Sequence, residues 1–404
     1  MTLFERVTAR TAGRHAVHLE WFRTRLRLFS DLPDATDYLV AQHHVVGPPV
    51  PAGDPPPPRA PAPALHLTAD ARLLDVVRGT ASGQRITGRE SFTGWWYDCW
   101  RAGDGVFVLS SGRGHESEHA LLTTDFRSWA LVGAHPGPLP GTAARTIREL
   151  VREDLLAEGA LMMHASAAVL PDGRGLVMVG GSGAGKTSAA VRVARARGRC
   201  VATDRLLLLP DGADWIAVGL PMSTRLGVGA LRALGVTDDL LRRPLIRHRA
   251  GAPSPASSAG ARSADPRAKL SLSNEEVFDV IGGGFVSATR VDRVVVLRAC
   301  ATAMPRLSTL TPAEAVPALR EEALLPDPAY RSRWLAHDPR PEPATWTLGH
   351  LSALAADVPV AELRWDPHLH CDEQTHNRLA PRGRRTTART EPGTPCAAPA
   401  GEGR

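Results

Sequence analysis

Residues 174–198 read RGLVMVGGSGAGKTSAAVRVARARG, and Gly180–Thr187 within them match the phosphate-binding pattern G-x-x-x-x-G-K-[ST] at every position. Glycines let such a loop wrap closely around a phosphate, because no Cβ blocks left-handed backbone conformations. The loop amides then point at the anion, helped by the N-terminus of the helix that follows. Apolar RGLVMV predicts a strand before the loop, and SAAVRVARARG predicts a helix after it. We therefore predict a P-loop that binds ATP with Mg²⁺.

Within this loop, Lys186 is expected to reach the β- and γ-phosphates and Thr187 to place its hydroxyl on Mg²⁺. Lysine is rare in the chain, since only Lys186 and Lys269 occur among 48 basic residues. A lysine at the one loop position that demands it is therefore hard to attribute to chance. The residues predicted to bind the nucleotide are Gly180, Gly181, Ser182, Gly183, Ala184, Gly185, Lys186, Thr187 and Ser188.

The acidic residue with which many P-loop ATPases hold their metal is missing from its usual place. It normally ends an apolar strand, but LLLLPDG (206–212) has a proline before Asp211, and VVVLRA (294–299) has no acid. The chain also lacks a segment like LSGGQ. An ATPase that drives conformational work is therefore disfavoured.

Two other residues are candidates for metal binding and proton transfer. Asp204 follows the P-loop helix on the predicted strand CVATDRLLLL (200–209), where a carboxylate can bind Mg²⁺ or accept a proton from a hydroxyl. The alternative is a strand-end Asp paired with Arg205. His164 lies on the strand before the P-loop strand, where it is either a core histidine or faces the phosphates. The residues alone leave both alternatives open.

Residues 162–206, MMHASAAVLPDGRGLVMVGGSGAGKTSAAVRVARARGRCVATDRL, resemble the HPr kinase/phosphorylase family. The shared pattern is a strand with a His, a turn, the P-loop, a helix, and a strand that ends in valine-alanine-Asp-Asp-arginine. His164 and residues 201–205 fall in register with it. The resemblance implies an α/β fold with a P-loop domain of the HPr kinase/PEP carboxykinase type and a smaller, mostly β N-terminal region.

The resemblance also implies a function, because members of that family transfer phosphate from a nucleotide to a hydroxyl. The acceptor would be a serine of a protein or peptide, or a small-molecule alcohol. Asp204 then corresponds to the second Asp of the family pair, as catalytic base and metal contact with Thr187, and His164 to the catalytic histidine beside the phosphates. This chain departs from the pattern at Thr203, where the family has its first Asp. A nucleotide-binding accessory or regulatory protein with little phosphotransfer activity is the alternative.

The chain is expected to divide as follows. Proline-rich GPPVPAGDPPPPRAPAPA (47–64) predicts an extended linker or an exposed loop. ARLLDVV (71–77) and the neighbouring apolar runs predict strands. The tryptophan cluster of Trp95, Trp96 and Trp100 is expected in the core or, alternatively, on a binding surface. A helix is predicted over 141–160, and alternating segments over 346–355 and 358–365.

The predicted units are an N-terminal segment 1–46, a linker or loop 47–64, a mainly β accessory region 65–140, a P-loop kinase-like domain 141–378 with a disordered insert 250–268, and a disordered tail 379–404.

Composition excludes several other classes of protein. Hydrophobic residues make up 43% and charged residues 22%, which is ordinary for a soluble globular chain, and no apolar run or leader indicates a membrane or secreted protein. The net charge of +6 is spread over arginines without interleaved aromatics, which argues against a nucleic-acid partner. Five scattered cysteines support neither disulfides nor a zinc site.

We expect a cytoplasmic protein, and the resemblance leaves open whether it forms a homo-oligomer. The candidates for contacts to an anionic acceptor are Arg225, Arg242, Arg243 and Lys269, although exposed charges are usually solvated surface.

Overall fold

Helices and strands together confirm the α/β class in the part of the chain that the computed structural model describes. Those residues form eight helices and twenty strands in four sheets. The predicted insert 250–268 and tail 379–404 lie outside the described residues, as does nearly all of the predicted linker. The domain boundaries remain predictions. The described residues are 1–12, 14–45, 63–81, 89–90, 95–112, 115, 117–227, 231, 234, 236, 269–300, 304–324, 333–337 and 344–366.

The largest sheet is built from the N-terminal third of the chain. Its eight strands are β1 (His15–Trp21), β2 (Thr24–Ser30), β3 (Ala64–Ala69), β4 (Arg89–Glu90), β5 (Trp96–Arg101), β6 (Phe107–Ser111), β7 (His119–Thr123) and β8 (Ser128–Gly133). They are hydrogen-bonded in the order β1-β2-β3-β8-β7-β6-β5-β4. Pairing is antiparallel except for β2–β3 and β3–β8, which are parallel.

Helices cover both faces of this sheet. On one face α1 (Leu3–Thr11) and α3 (Ala71–Gly79) enclose an apolar core, and on the other α2 (Pro33–Gln42) and α4 (Leu139–Ala157) enclose a second one. The predicted strand over 71–77 is therefore wrong. Its buried residues, Leu73, Leu74 and Val77, have helical spacing, and the Asp70 side chain caps the helix by accepting a bond from the Leu73 amide at 3.0 Å.

The tryptophan cluster divides between core and surface. Trp100 is buried, as predicted, but Trp96 is 54% exposed. Trp95 is half-buried and lies under the Arg145 guanidinium, 3.7 Å from its ring centroid. Trp96 and Trp100 share one face of β5, but Trp96 begins the strand and pairs only with Glu90 of the two-residue strand β4, whereas Trp100 packs in the core under α1 and α3. The predicted helix over 141–160 is confirmed as α4.

The P-loop follows an inner strand of a six-stranded sheet and lies at the edge of that sheet where its parallel strands end. The strands are β10 (Ala165–Val169), β11 (Gly175–Val179), β12 (Arg199–Ala202), β18 (Arg293–Ala299), β19 (Arg306–Thr309) and β20 (Val360–Trp365), in the order β12-β10-β11-β18-β20-β19. Strands β11, β18 and β20 are parallel. Four helices pack on its two faces: α5 (Lys186–Arg195) and α6 (Asn274–Ile281) on one, α7 (Pro312–Glu322) and α8 (Ala344–Asp357) on the other.

A four-stranded sheet packs beside it through the same apolar core. Its strands are β9 (Leu161–Met163), β13 (Leu206–Asp211), β14 (Asp214–Gly219) and β17 (Ala288–Arg290), in the order β17-β14-β13-β9. A two-stranded ladder joins β15 (Thr224–Gly227) to β16 (Lys269–Leu272).

Two chain segments cross between the four-stranded and the six-stranded sheet at the same place, in opposite directions. One runs from β9 into β10 and the other from β12 into β13, so that β10 pairs with β12 in one sheet while β9 pairs with β13 in the other. We call the residues between these pairings, 164–166 and 203–205, the strand junction. The prediction of one strand over 200–209 is therefore wrong, because the strand junction divides it in two.

The C-terminal part of the described chain corrects a further prediction. Residues 346–355 belong to α8 and not to an alternating strand, since Leu351, Leu354 and Ala355 are buried at helical spacing. Residues 360–365 do form a strand, β20. No helix in the described ranges is both long enough and apolar enough to cross a membrane.

Candidate functional site

The P-loop adopts the backbone that its glycines permit. Gly180, Gly183 and Gly185 have φ of 145°, 83° and 89°, a region that residues with a side chain rarely adopt. A Cβ at Gly180 would lie 2.4 Å from the Leu297 carbonyl oxygen on β18. Gly180 therefore lets the loop leave β11 in close contact with the neighbouring strand, and α5 begins at Lys186 directly after the loop.

Two buried side chains hold this loop from opposite sides. The indole Nε1 of Trp365, at the end of β20, donates to the Ala184 carbonyl at 3.0 Å. The Lys186 ammonium donates to the carbonyls of Gly180 and Gly181, in the second case at 3.2 Å. Residues 181–183, at the tip, are exposed. The loop is thus anchored at its base, with its tip open to a ligand.

Thr187 and the strand junction meet below the loop. The Thr203 carbonyl accepts bonds from the Thr187 hydroxyl at 2.7 Å and from the Ser166 hydroxyl at 2.9 Å. The Thr203 side chain points elsewhere, because it is buried and its hydroxyl lies 3.3 Å from that of Thr224. Position 203, where the resembling family has an Asp, therefore contributes its backbone to this arrangement and not its side chain.

His164 lies at the strand junction between two carboxylates. Its Nε2 is 3.5 Å from Asp204 Oδ1, and its Nδ1 is 3.2 Å from Glu322 Oε2. Asp204 Oδ2 in turn lies 3.7 Å from Arg205 Nε. Glu322, the last residue of α7, is nearly buried, whereas His164 is 35% and Asp204 48% exposed.

These neighbours fix the charges of the site. Pairing with Asp204, and then with Glu322, raises the pKa of His164 to about 9, against the opposing effects of burial and Lys186. The bond from His164 is the main cause that lowers the pKa of Asp204. Burial lowers the pKa of Lys186, although the Glu322 and Asp204 carboxylates oppose that shift. At neutral pH His164 is therefore a cation beside an ionised Asp204, and it can donate a proton but cannot accept one.

The donor set fits a magnesium ion that shares its ligands with a nucleotide. Mg²⁺ takes oxygen ligands and is usually held by one or two carboxylates, waters and substrate phosphates. Asp204 offers a half-exposed carboxylate, and Thr187 a hydroxyl bonded to the adjacent residue of the strand junction. Within the described residues no group of three or more His, Cys, Asp or Glu side chains is arranged to hold a metal. Phosphate oxygens would thus have to supply part of the ligand shell.

The structure brings the predicted site residues together at one edge of the six-stranded sheet. His164 and Asp204 are neighbours, and Lys186 acts electrostatically on both. Asp204 also pairs with Arg205, so the structural alternative raised for it holds alongside its contact with His164. Arg225 is exposed on β15 and Lys269 begins β16, whereas residues 242–243 lie outside the described ranges.

Two residues of this edge were not found from the sequence. Glu322 comes from a helix far along the chain, and no local pattern distinguishes it from other helix-end glutamates. Trp365 could have been noticed, because a tryptophan that ends an apolar strand has an indole N–H that needs an acceptor when buried.

Comparisons with known proteins add little to this geometry. A scan against models of known protein families finds no match, and a search of curated proteins finds no relative. Among solved structures, the HPr(Ser) kinase/phosphatase from Coxiella burnetii is similar over 55% of this chain and 99% of its own, at 11% identity and a TM-score of 0.25. So low a TM-score carries no argument, and the resemblance continues to rest on the residues of 162–206.

Proposed function

We propose that this protein is an ATP- and Mg²⁺-dependent kinase that transfers the γ-phosphate to a hydroxyl of a protein, a peptide or a small molecule. One observation carries the proposal: an ionised carboxylate, a protonated histidine and the P-loop lysine converge on one edge of the sheet. Phosphoryl transfer depends mainly on positioning and charge neutralisation, and these three groups supply both.

Each group has a defined part in the transfer. The acceptor oxygen forms a bond to the γ-phosphorus, the bond from that phosphorus to the bridging oxygen breaks, and ADP leaves with the electron pair. Asp204 accepts the proton of the acceptor hydroxyl, because its carboxylate is ionised and half-exposed. Lys186 and the loop amides neutralise the phosphate charge, and the His164 cation holds Asp204 and adds positive charge beside the γ-phosphoryl oxygens.

A magnesium ion held by Thr187 and Asp204 would neutralise the β- and γ-phosphate oxygens. Burial of most of the Lys186 side chain strengthens its interaction with a phosphate, since less water screens the charge. Trp365 and Gly180 keep the loop in one conformation, so that little order has to be gained when the nucleotide binds.

The second candidate is a nucleotide-binding accessory or regulatory protein without phosphotransfer. Thr203 favours it, because this position has lost the carboxylate of the resembling family and its side chain is buried against Thr224. ATP affinity without any phosphorylated product would identify this class.

The deciding experiment is an ATP-consumption assay with Mg²⁺ and peptide or cell-extract acceptors. We expect acceptor-dependent turnover in the wild type, a loss of about 100- to 1,000-fold in Lys186→Ala, where a phosphate contact is removed, and of about 100- to 10,000-fold in Asp204→Asn. Matched controls are Arg195→Ala, an exposed cation on the same helix, and Asp214→Asn, an exposed carboxylate on β14; both should retain activity. Full activity in Lys186→Ala would refute the kinase assignment.

A further inference from the structure

Glu322 is the carboxylate of the site that lies outside residues 162–206, the segment that carries the other site residues. It approaches His164 from the side opposite Asp204, with 3.2 Å between its Oε2 and the ring Nδ1. It comes from the end of α7, whereas the motif residues all lie between β9 and β13. The cluster thus has two carboxylates around one histidine, even though Thr203 replaces an Asp of the resembling pattern.

The backbone fixes Glu322 relative to His164. The His164 amide donates to the Glu322 carbonyl at 2.8 Å, and the next residue, Ala323, forms a β-bridge with Met163. The Leu324 amide then donates to the Met162 carbonyl at 2.9 Å. The end of α7 is therefore bonded along β9, and the Glu322 side chain has little freedom to move away from the ring.

This position is unfavourable for a glutamate unless a cation faces it. The C-terminus of a helix carries a partial negative charge, so an acidic side chain is destabilised there. Only 8% of the Glu322 side chain is exposed, which adds the cost of removing a carboxylate from water. The adjacent Glu321 is also acidic, but it is 60% exposed and paired with Arg298 at 3.2 Å. Residues that break a local rule in this way are often found at functional sites.

We propose, on the basis of the kinase function above, that Glu322 is the positioning residue for His164 in phosphoryl transfer. By accepting the Nδ1–H, it fixes the plane of the imidazole so that Nε2–H faces Asp204 and the transferring phosphoryl group. Glu322 thereby supplies, from a distant helix, the second carboxylate that position 203 lacks.

Steady-state kinetics test whether Glu322 acts through His164. In Glu322→Gln we expect kcat to fall roughly 10- to 100-fold, as is common when a residue that orients a functional histidine is removed. The KM for ATP should change much less than kcat, because Glu322 contacts His164 directly, whereas it reaches Lys186 of the P-loop through its charge and not through a hydrogen bond. Glu322→Asp should recover part of the loss, and Glu321→Gln, the matched neighbour, should behave like the wild type. Because the variant also removes a partner of the His164 cation, the kinetics of every variant should be compared at a temperature at which circular dichroism shows it to be folded.

A double-mutant cycle then separates positioning from independent action. In a His164→Gln background, Glu322→Gln should change kcat by less than about two-fold, because the group it orients is gone. Full kcat in Glu322→Gln, or effects that simply multiply in the double variant, would overturn the proposal.

A measurement that needs no turnover keeps this test distinct from that of the kinase function. In ¹⁵N-histidine-labelled protein, His164 should show a downfield, slowly exchanging Nδ1–H resonance, assigned by its absence in His164→Gln. Glu322→Gln should remove that resonance and Glu321→Gln should leave it. If the wild type binds ATP but consumes none with any acceptor, the proposed function fails, and this resonance decides the role of Glu322: loss supports positioning of the ring, and persistence refutes it.

Discussion

His119 and His164 show how differently the two halves of the molecule treat the same side chain. His119 is completely buried on β7 of the eight-stranded sheet, with the Tyr97 hydroxyl 2.9 Å from its Nε2 and the Ser117 carbonyl at its Nδ1. Burial lowers its pKa to about 4. His164 is partly exposed between two carboxylates, which raise its pKa to about 9.

The two regions differ in whether their titratable side chains are neutral and buried or charged and partly exposed. Burial likewise lowers the pKa of His43, which follows α2, and of His66, on β3, to about 4, so both rings stay neutral. Each has one hydrogen bond at Nδ1, with the Leu39 carbonyl at 2.7 Å and the Thr11 hydroxyl at 2.8 Å. Beside the P-loop, by contrast, His164 and Asp204 are charged and partly exposed to solvent. A concentration of charged, half-exposed groups beside a phosphate-binding loop is typical of a functional site.

The largest effect on stability is expected when a charge is introduced near the P-loop at a position that holds a buried, neutral side chain. In Thr203→Asp the new carboxylate would be buried against Thr224, and we expect the free energy of unfolding to fall by about 3 kcal/mol, with no gain in turnover. Urea denaturation and the ATP-consumption assay measure the two quantities. Unchanged stability together with new turnover would instead favour the accessory-protein alternative, in which position 203 has lost a catalytic Asp.

A smaller effect should follow in the N-terminal sheet. His119→Gln removes a ring that contacts both the Tyr97 hydroxyl and the Ser117 carbonyl, and we expect a loss of about 2 kcal/mol in unfolding free energy. The kcat should remain within about two-fold of the wild type once the protein is folded. A loss of kcat as large as that in Asp204→Asn would break the distinction between a structural and a functional histidine.

The smallest effect should be the pH dependence of stability. The folded pKa of His164, about 9, lies above its unfolded value of about 6.5, so its contribution is complete below about pH 6.5 and is lost as the pH rises through about 9. The difference in unfolding free energy between the wild type and His164→Gln should therefore shrink from about pH 6 to about pH 10. His119 has the opposite sign: its lowered pKa costs stability as the pH falls from about 6.5 to about 4. Denaturation curves across this range measure both, and a constant His164 difference would contradict the assigned charge.

The sequence was most informative where local chemistry decides local structure. The P-loop glycines, the strand before them and helices α4 and α5 follow from spacing and residue type alone. The predictions for 71–77 and 346–355 are wrong because a short apolar run is compatible with either a strand or a helix. The features that favour a helix are the Asp70 cap in the first segment and the spacing of Leu351 and Leu354 in the second. Glu322 could not be found in this way, since its contact with His164 depends on how α7 packs along β9.

The break in the strand over 200–209 has the same kind of cause. Residues 199–202 pair with β10, whereas residues 206–208 pair with β9, and no local signal announces a change of sheet. A single apolar segment of the sequence can therefore supply strands to two sheets, and the change from one sheet to the other is seen only in the pairing partners.

The strand junction also bears on how such a protein can change over evolutionary time. His164 and residues 203–205 stand outside the strand ladders of both sheets, whereas Ala165 and Ser166 pair with Val179 and Met178 of β11. Strands that are held on both sides keep the positions of these side chains while their chemistry is free to vary. Thr203 illustrates this, because it joins Thr187 to Ser166 through its backbone carbonyl, a contact that does not depend on the side chain at this position. Substitutions at the strand junction can thus change the chemistry offered there while the backbone contacts below the loop persist, within the limit that burial sets at position 203.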